Sequence, residues 1–275
     1  LSRDVWAIVS DLHCGSTLGL CPERGIRLDD GGWYQPSYYQ MALWGCWIEF
    51  WTEVKETLRA GDRLIVELNG DCLDGNHHKT AQIVSKNLAT TQQDIAERVL
   101  IPALELEPKA IHLIRGTEVH VGASAEYEER LARSIGCEQH PKTGAYSRWH
   151  LQAQSQGVFM DFAHHGAVGK LPHTRSNPAK SLAMRIAHAA YKRGEKGPDV
   201  VYRSHCHQDA DTYDEMPVRV IQTRGWQLST AFVERIAAGS LPEIGGIIQI
   251  NENGQKEIRK VKFDWQRDEP WKLCA

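Results

Sequence analysis

The sequence predicts an α/β protein in which helices cover a sheet, and three observations lead there. Short, β-branched apolar runs recur along the 275-residue chain. Each run ends abruptly in a polar, glycine-containing loop, as buried strands do. Stretches with helical apolar spacing lie between the runs, and strand-then-helix alternation is the pattern of a layered α/β architecture. With 41% hydrophobic and 24% charged residues the chain can bury a full core. The expected organisation is a single domain over residues 1–275, because no repeat, low-complexity tract or Pro/Ser-rich linker divides it.

The elements follow in order. Val5–Val9 reads as a strand running into Ser10-Asp11-Leu12-His13. Residues 37–60 place Leu43, Trp47, Ile48, Trp51, Val54 and Leu58 at three- and four-residue steps before Gly61, which predicts a helix whose aromatic residues serve the core. Leu64–Leu68 is a strand leading to Asn69-Gly70-Asp71, and 80–107 is expected to be helical. Ala110–Ile114 leads to Arg115-Gly116, followed by a helix over 125–135. Val158–Phe162 leads to Ala163-His164-His165-Gly166, followed by a helix over 178–194. Val200–Tyr202 leads to Ser204-His205-Cys206-His207. From about 217 the pattern turns β-rich: Pro217–Ile221, Gly246–Ile250 and Ile258–Phe263, with Asn251-Glu252-Asn253-Gly254 as a turn, predict antiparallel strands and a hairpin.

Composition excludes several functions. No run of about 18 apolar residues exists to span a membrane as a helix, and the opening LSRDVWAIVSD lacks the apolar stretch of a signal peptide. A formal charge of −3 excludes a globally basic nucleic-acid binder. The seven cysteines are scattered without a CxxC pair, which argues against a disulfide framework or thiolate zinc site. The expected location is the reducing cytoplasm, with no membrane partner.

The chemistry sits in the loops after the strands. In open α/β sheets ligands bind at the carboxyl ends of strands, so these loops can converge on one site. They carry carboxylates and imidazoles, the donor set of manganese, iron, zinc or nickel.

In these loops the chain resembles the calcineurin-like metallophosphoesterases. Asp11-Leu12-His13 is similar to their opening DxH, Gly70-Asp71-Cys72-Leu73-Asp74 to their GDxxD, His165-Gly166 to their third histidine motif, and His205-Cys206-His207 to their closing HxH. The resemblance implies a four-layer α/β/β/α sandwich holding two divalent cations, Mn2+ being the first expectation. Carried over residue by residue, it implies Asp11, His13 and His207 on one metal, Asp71 bridging, and His165 and His205 on the other. His164 is the alternative to His165, which the family pattern favours because it directly precedes Gly166. The family's Gly-Asn-His is replaced by Gly116-Thr117-Glu118-Val119-His120. The expectation is that His120 keeps the acid role, that Asp74 orients it by a hydrogen bond, and that Glu118 replaces the missing Asn as a ligand, with Thr117 or water as the alternative.

The implied function is a binuclear metal-dependent phosphoesterase whose hydroxide, shared by the cations, attacks phosphorus. Two features point to a phosphodiester, with DNA or RNA as candidate substrate. A Glu118 ligand would leave the metal cluster formally neutral and less attractive to a dianionic monoester. Lys170, Arg175, Lys180, Arg185, Lys192, Arg193 and Lys196 form a basic stretch opposed by Glu195 alone. The rivals are a small-molecule phosphatase, nucleotidase or cyclic-nucleotide phosphodiesterase, and, in a different class, an inactive scaffold. His77, His78, His112, His140, His150, His173 and His188 are expected to be surface or structural. Cys14, Cys72 and Cys206 are expected to be small fillers.

Overall fold

The computed structural model describes residues 2–76, 81–236 and 242–264. Strand β1 (Asp4–Val9) is followed by the small hairpin β2 (Ile26–Arg27) and β3 (Trp33–Tyr34), helix α1 (Tyr38–Thr57) and β4 (Arg63–Leu68). Then come α2 (Gln93–Val99), α3 (Ile101–Leu104), β5 (Ala110–Ile114), α4 (Glu118–Val121) and α5 (Glu126–Ser134). Next are β6 (Ser147–Arg148), β7 (Leu151–Ser155), β8 (Val158–His165), α6 (Asn177–Arg193), β9 (Val200–Ser204), β10 (Ala210–Asp211) and β11 (Arg219–Gln222). Helix α7 (Ala231–Ile236) and the hairpin β12 (Ile244–Glu252) and β13 (Gln255–Phe263) complete the order.

The strands form a six-stranded sheet, β13-β12-β1-β4-β5-β6, and a five-stranded sheet, β10-β11-β9-β8-β7. β1 shows why its sequence is apolar throughout. Val5, Ala7 and Val9 pack into a cluster with α1, α2 and α5, whereas Trp6 and Ile8 join Met160, Phe162 and Tyr202 from the other sheet. Side chains alternate across a strand, so a strand covered on both faces reads as a continuous hydrophobic run. Helix α6 packs Ala179 and Ala183 on Val201 and Val220, on the opposite face of the five-stranded sheet.

Local chemistry explains the element ends. Ser37 caps α1 by accepting from the Gln40 N–H at 3.2 Å, and the Gln40 side chain returns a bond to the Ser37 N–H. Gly194, at φ 66°, closes α6 in the left-handed conformation that glycine adopts at little cost. As expected, Leu43, Trp47, Trp51 and Val54 are core residues. Trp47 meets Trp226 edge-to-face at 4.7 Å between centroids, and its indole N–H donates to the Val99 carbonyl at 2.8 Å. Burying such a side chain stabilises the fold by roughly 2–3 kcal/mol. Trp33, Tyr38 and Tyr39, which precede or begin the helix, are exposed.

Two expectations change. The 80–107 stretch is not one helix: a π turn over Leu88–Gln92 leads into α2 and then α3, with Pro102 in the first turn of α3, where its missing N–H costs little. Residue 80 itself lies outside the described residues. The tail strands are not all antiparallel, because β11 pairs in parallel with β9 in the five-stranded sheet. β12 and β13 do form the expected hairpin, and β12 runs antiparallel to β1.

Candidate metal centre

β1, β4 and β5 run parallel in one sheet, and β8 and β9 run parallel in the other. Their carboxyl ends meet at one edge of the two sheets, and the loops there are tied by main-chain bonds. The Asp11 N–H donates to the Gly70 carbonyl at 2.9 Å, His13 N–H to Asp71 at 3.0 Å and Trp226 N–H to Asp11 at 2.9 Å. Beneath them a buried polar chain crosses between the sheets: Asn69 Nδ2 donates to Ser204 Oγ at 2.6 Å, and Ser204 shares a 2.8 Å bond with Thr223, which shares another with Ser10.

The backbone at this edge is strained. Asp11, His13, Asp71, His205 and His207 all have positive φ, between 45° and 76°. Non-glycine residues rarely adopt this region, and surrounding structure must hold them there. The motif glycines are required by close approach: a Cβ on Gly70 (φ 90°) would strike His164 Nδ1, and one on Gly116 would strike Asp71 Oδ1.

Three overlapping groups of donor atoms result, each with atoms within 4.8 Å of one another: Asp11, His13 and His207; His13, Asp71 and His120; Asp71, His164 and His205. His13 Nε2 and His207 Nε2 are 3.2 Å apart, and His207 Nε2 lies 3.2 Å from Asp11 Oδ1. Asp71 belongs to two groups, with its Oδ2 at 2.9 Å from His164 Nε2, 3.9 Å from His205 Nδ1 and 4.0 Å from His120 Nε2.

For two of the rings, a hydrogen bond to a main-chain carbonyl on the far side settles which nitrogen faces the cluster. A carbonyl can only accept, so His164 Nδ1 donates to the Asn69 carbonyl at 2.7 Å; Nε2 faces Asp71 Oδ2 at 2.9 Å and donates to it when the ring is protonated, and it is the nitrogen left for a cation once that proton is displaced. His120 Nδ1 likewise donates to the main-chain oxygen of Asp74. The Asp74 carboxylate instead faces His13 Nδ1 at 3.2 Å and accepts from Gln227 Nε2 at 3.1 Å. Asp74 therefore does bond to His120, and this bond comes from its backbone oxygen.

Two site expectations are corrected. His164, not His165, faces Asp71. On β8, Met160 and Phe162 face the core between the sheets; past the register shift between Phe162 and His165, His164 is buried against Asp71, whereas His165 is exposed and belongs to none of the three groups. Glu118 is exposed at the start of α4 and also belongs to none. Thr117, the alternative to Glu118, lies beside Asp71: its N–H donates to Asp71 Oδ1 at 2.6 Å, and its hydroxyl lies 3.1 Å from both Asp71 Oδ2 and His205 Nδ1. The formal charge neutrality that rested on a Glu118 ligand goes with it.

Residues outside the motifs complete the scaffold. Glu128 on α5 accepts from the Cys72 N–H at 3.0 Å and the Gly116 N–H at 2.6 Å, joining the two loops that carry Asp71 and Thr117. Glu243 accepts from Asp209 N–H at 2.7 Å and donates its own N–H to the His207 carbonyl at 2.8 Å. Cys14 and Cys72 are buried fillers, with thiols pushed well up by burial. His77 and His78 lie outside the described residues.

The electrostatics fit cations. Burial alone would raise the Asp11 carboxyl, but His207 and His164 beside it hold it down to about 2. Asp71 is held well below the usual carboxylate range against its burial, chiefly by His164. His164 is raised to about 10: burial opposes its charge, and Asp71 and Asp11 overcome that. A proton on His164 thus balances the buried carboxylates beside it, a role a divalent cation fills by displacing that proton. Asp11 Oδ1 is buried and accepts no hydrogen bond although His207 is beside it, as expected of an atom directed at an ion. The His and Asp groups therefore fit a binuclear metal site.

No family model matches the sequence, and no curated protein sequence matches it. Among solved structures, the chain is similar to a dimetal phosphatase from Danio rerio, with TM-score 0.47 and 8% identity over 93% of this chain and 95% of that one. It is also similar to a Streptococcus pneumoniae protein described as a predicted phosphoesterase, with TM-score 0.39 and 8% identity over 95% and 91% of the two chains. A third is the Vps29 double mutant from Entamoeba histolytica, with TM-score 0.39 and 9% identity over 94% and 99%.

Proposed function

We propose that this chain is a metal-dependent phosphoesterase of the metallophosphoesterase kind, one domain in which Asp11, His13 and His207 hold one divalent cation, His164 and His205 a second, and Asp71 both. The observation that carries the reading is Asp71: its carboxylate is shared by two of the three donor groups, each built from loops far apart in the sequence. Two such cations would supply the positive charge that lowers the pKa of a water and stabilises the oxygens of a displacement at phosphorus. Thr117 orients Asp71 through its N–H and hydroxyl. His120, with Nδ1–H given to the Asp74 carbonyl, presents Nε2 to the site as the atom that holds or delivers the proton of the leaving group.

The reading extends to phosphodiesters, with nucleic acid as the substrate class and manganese as the first metal to test. Its support is Lys170, Arg185 and Lys192, which make no ion pair among the described residues, beside others that do: Lys180 with Glu215, Arg175 with Glu243, Arg193 with Glu195 and Lys196 with Asp199. A second reading, a phosphatase acting on small monoesters, is favoured by Thr117. Asp11 and Asp71 neutralise half the charge of two divalent cations, and the remaining positive charge attracts a dianion more than a monoanion.

One experiment separates them. The manganese-loaded protein is assayed on bis-p-nitrophenyl phosphate, p-nitrophenyl phosphate, single-stranded oligonucleotides and free nucleotides across a salt series. Oligonucleotide cleavage that falls steeply with salt supports the nucleic-acid reading. Preference for the monoester supports the phosphatase. No hydrolysis of any ester by metal-loaded protein would leave a scaffold and overturn the proposal.

A further inference from the structure

The Asp74–Gly75 peptide is held at both ends, and the residue at its outer end lies in none of the motifs. Its carbonyl accepts from His120 Nδ1. Its N–H, on Gly75, donates to Gln92 Oε1 at 2.9 Å. The Gln92 amide then donates from Nε2 to the Gly75 carbonyl at 2.8 Å and to the Ser85 carbonyl at 2.8 Å. The side chain thus satisfies both main-chain groups of Gly75, as a neighbouring strand would.

Packing removes the remaining freedom. Gln92 is wholly buried. Gly75, at φ 78°, lies so close to α4 that a Cβ would come within 2.5 Å of the Val119 carbonyl and 2.7 Å of His120 Cα. On the other side, a Cβ on Gly15 would come within 2.5 Å of the Gln92 side chain. The π turn aims the residue: Gln92 N–H bonds back to the Asn87 carbonyl at 3.0 Å, and Thr91, Gln92 and Gln93 are consecutively buried.

We propose that Gln92 is a positioning residue for His120: its amide fixes the Asp74–Gly75 peptide plane, the plane fixes the Asp74 carbonyl, and the carbonyl fixes His120 with Nδ1 protonated and Nε2 toward Asp71. The inference rests on the phosphoesterase reading for its kinetic consequence, but its structural part is independent of activity. Rotating the peptide would break the bonds at both ends, and hydrogen bonds in such a chain strengthen one another.

The test uses Gln92→Met, which keeps the shape and removes all three side-chain bonds, and Gln92→Asn, which keeps an amide but is too short to reach Gly75. Gln92→Glu is the conservative rescue: in this buried position its protonated carboxyl can accept from the Gly75 N–H and donate to the Gly75 carbonyl. In zinc-loaded protein, 15N NMR reads the His120 tautomer, which is expected to be Nδ1-protonated in wild type and in Gln92→Glu and mixed in whichever of Met or Asn folds. With manganese, kcat on bis-p-nitrophenyl phosphate should fall about 10–100-fold in Gln92→Met and Gln92→Asn, the usual cost of losing an outer partner. KM and a metal content of two per chain should be unchanged, and Gln92→Glu should recover most of the rate. In a His120→Ala background the same substitutions should have no further effect. An unchanged tautomer in a folded Gln92→Met or Gln92→Asn would overturn the inference, as would rate losses that persist in His120→Ala. A wild-type protein that hydrolyses no ester, with the tautomer result as expected, would sink the function and leave Gln92's hold on His120 standing.

Discussion

Replacing Glu67 with Gln should make the protein more stable at neutral pH. Glu67 is a fully buried residue of β4, opposite Ile8 and His112 on the neighbouring strands, and neither of its carboxyl oxygens has a hydrogen-bond partner. Burial pushes its pKa from 4.5 up to about 8, with Arg148 opposing the shift. His112 beside it is driven the other way, to about 4, by burial and then by Arg148, so it brings no charge to Glu67. A carboxyl whose pKa rises on folding binds its proton more tightly in the native state. Its contribution to stability is therefore fully present below about pH 4.5 and is lost as pH rises to about 8. At about 1.4 kcal/mol per unit, the native state forfeits about 3 kcal/mol by pH 7. Glutamine has no proton to lose and nearly the same shape. Urea unfolding of wild type and Glu67→Gln, both with chelator, should give similar stabilities at pH 5 and a gap that widens steadily to pH 8. A gap that does not move with pH, or a Gln variant that is the weaker at pH 8, would show that Glu67 is ionised and paired, and the reasoning would fail.

Further outcomes follow from the site. His164→Ala should lose one of two bound metals and nearly all turnover, while His165→Ala should keep both metals, as measured by elemental analysis after desalting. Thr117→Val removes the hydroxyl between Asp71 and His205 and should weaken the second metal about 10–100-fold in a competitive chelator titration. The raised His164 pKa of about 10 has a pH signature: in chelated protein the stabilisation from its protonated form is complete below about 6.5 and lost as pH rises toward 10. Metal must displace that proton, so calorimetry at pH 7 in buffers of different ionisation enthalpy should show proton release on Mn2+ binding.

The five strand-end loops were legible in the sequence because apolar runs that stop at Asp or His leave little choice of placement. Asp11, His13, Asp71, His120, His205 and His207 come together as their loops suggested. The left-handed backbone that aims five of these residues is only weakly marked in residue type: Asp and His enter it more readily than most non-glycine residues but usually lie elsewhere. The choice between His164 and His165 was not readable from strand alternation, because the pairing of β8 with β9 shifts register between Phe162 and His165, and family spacing pointed to His165. Thr117 is the alternative to Glu118 in the sequence but ranks second there, because a carboxylate one residue later looks the better ligand, and the start of α4 turns that carboxylate to solvent. Gln92 was invisible because a π turn breaks the helical period from which 80–107 was read as one helix.

Anomalous scattering at the manganese edge, on crystals grown with excess Mn2+, tests the central claim most directly. Two peaks per chain are expected, one among Asp11, His13 and His207 and one among His164 and His205, with the Asp71 carboxylate between them. A single peak away from Asp71, or no peak with these side chains in place, would contradict the account.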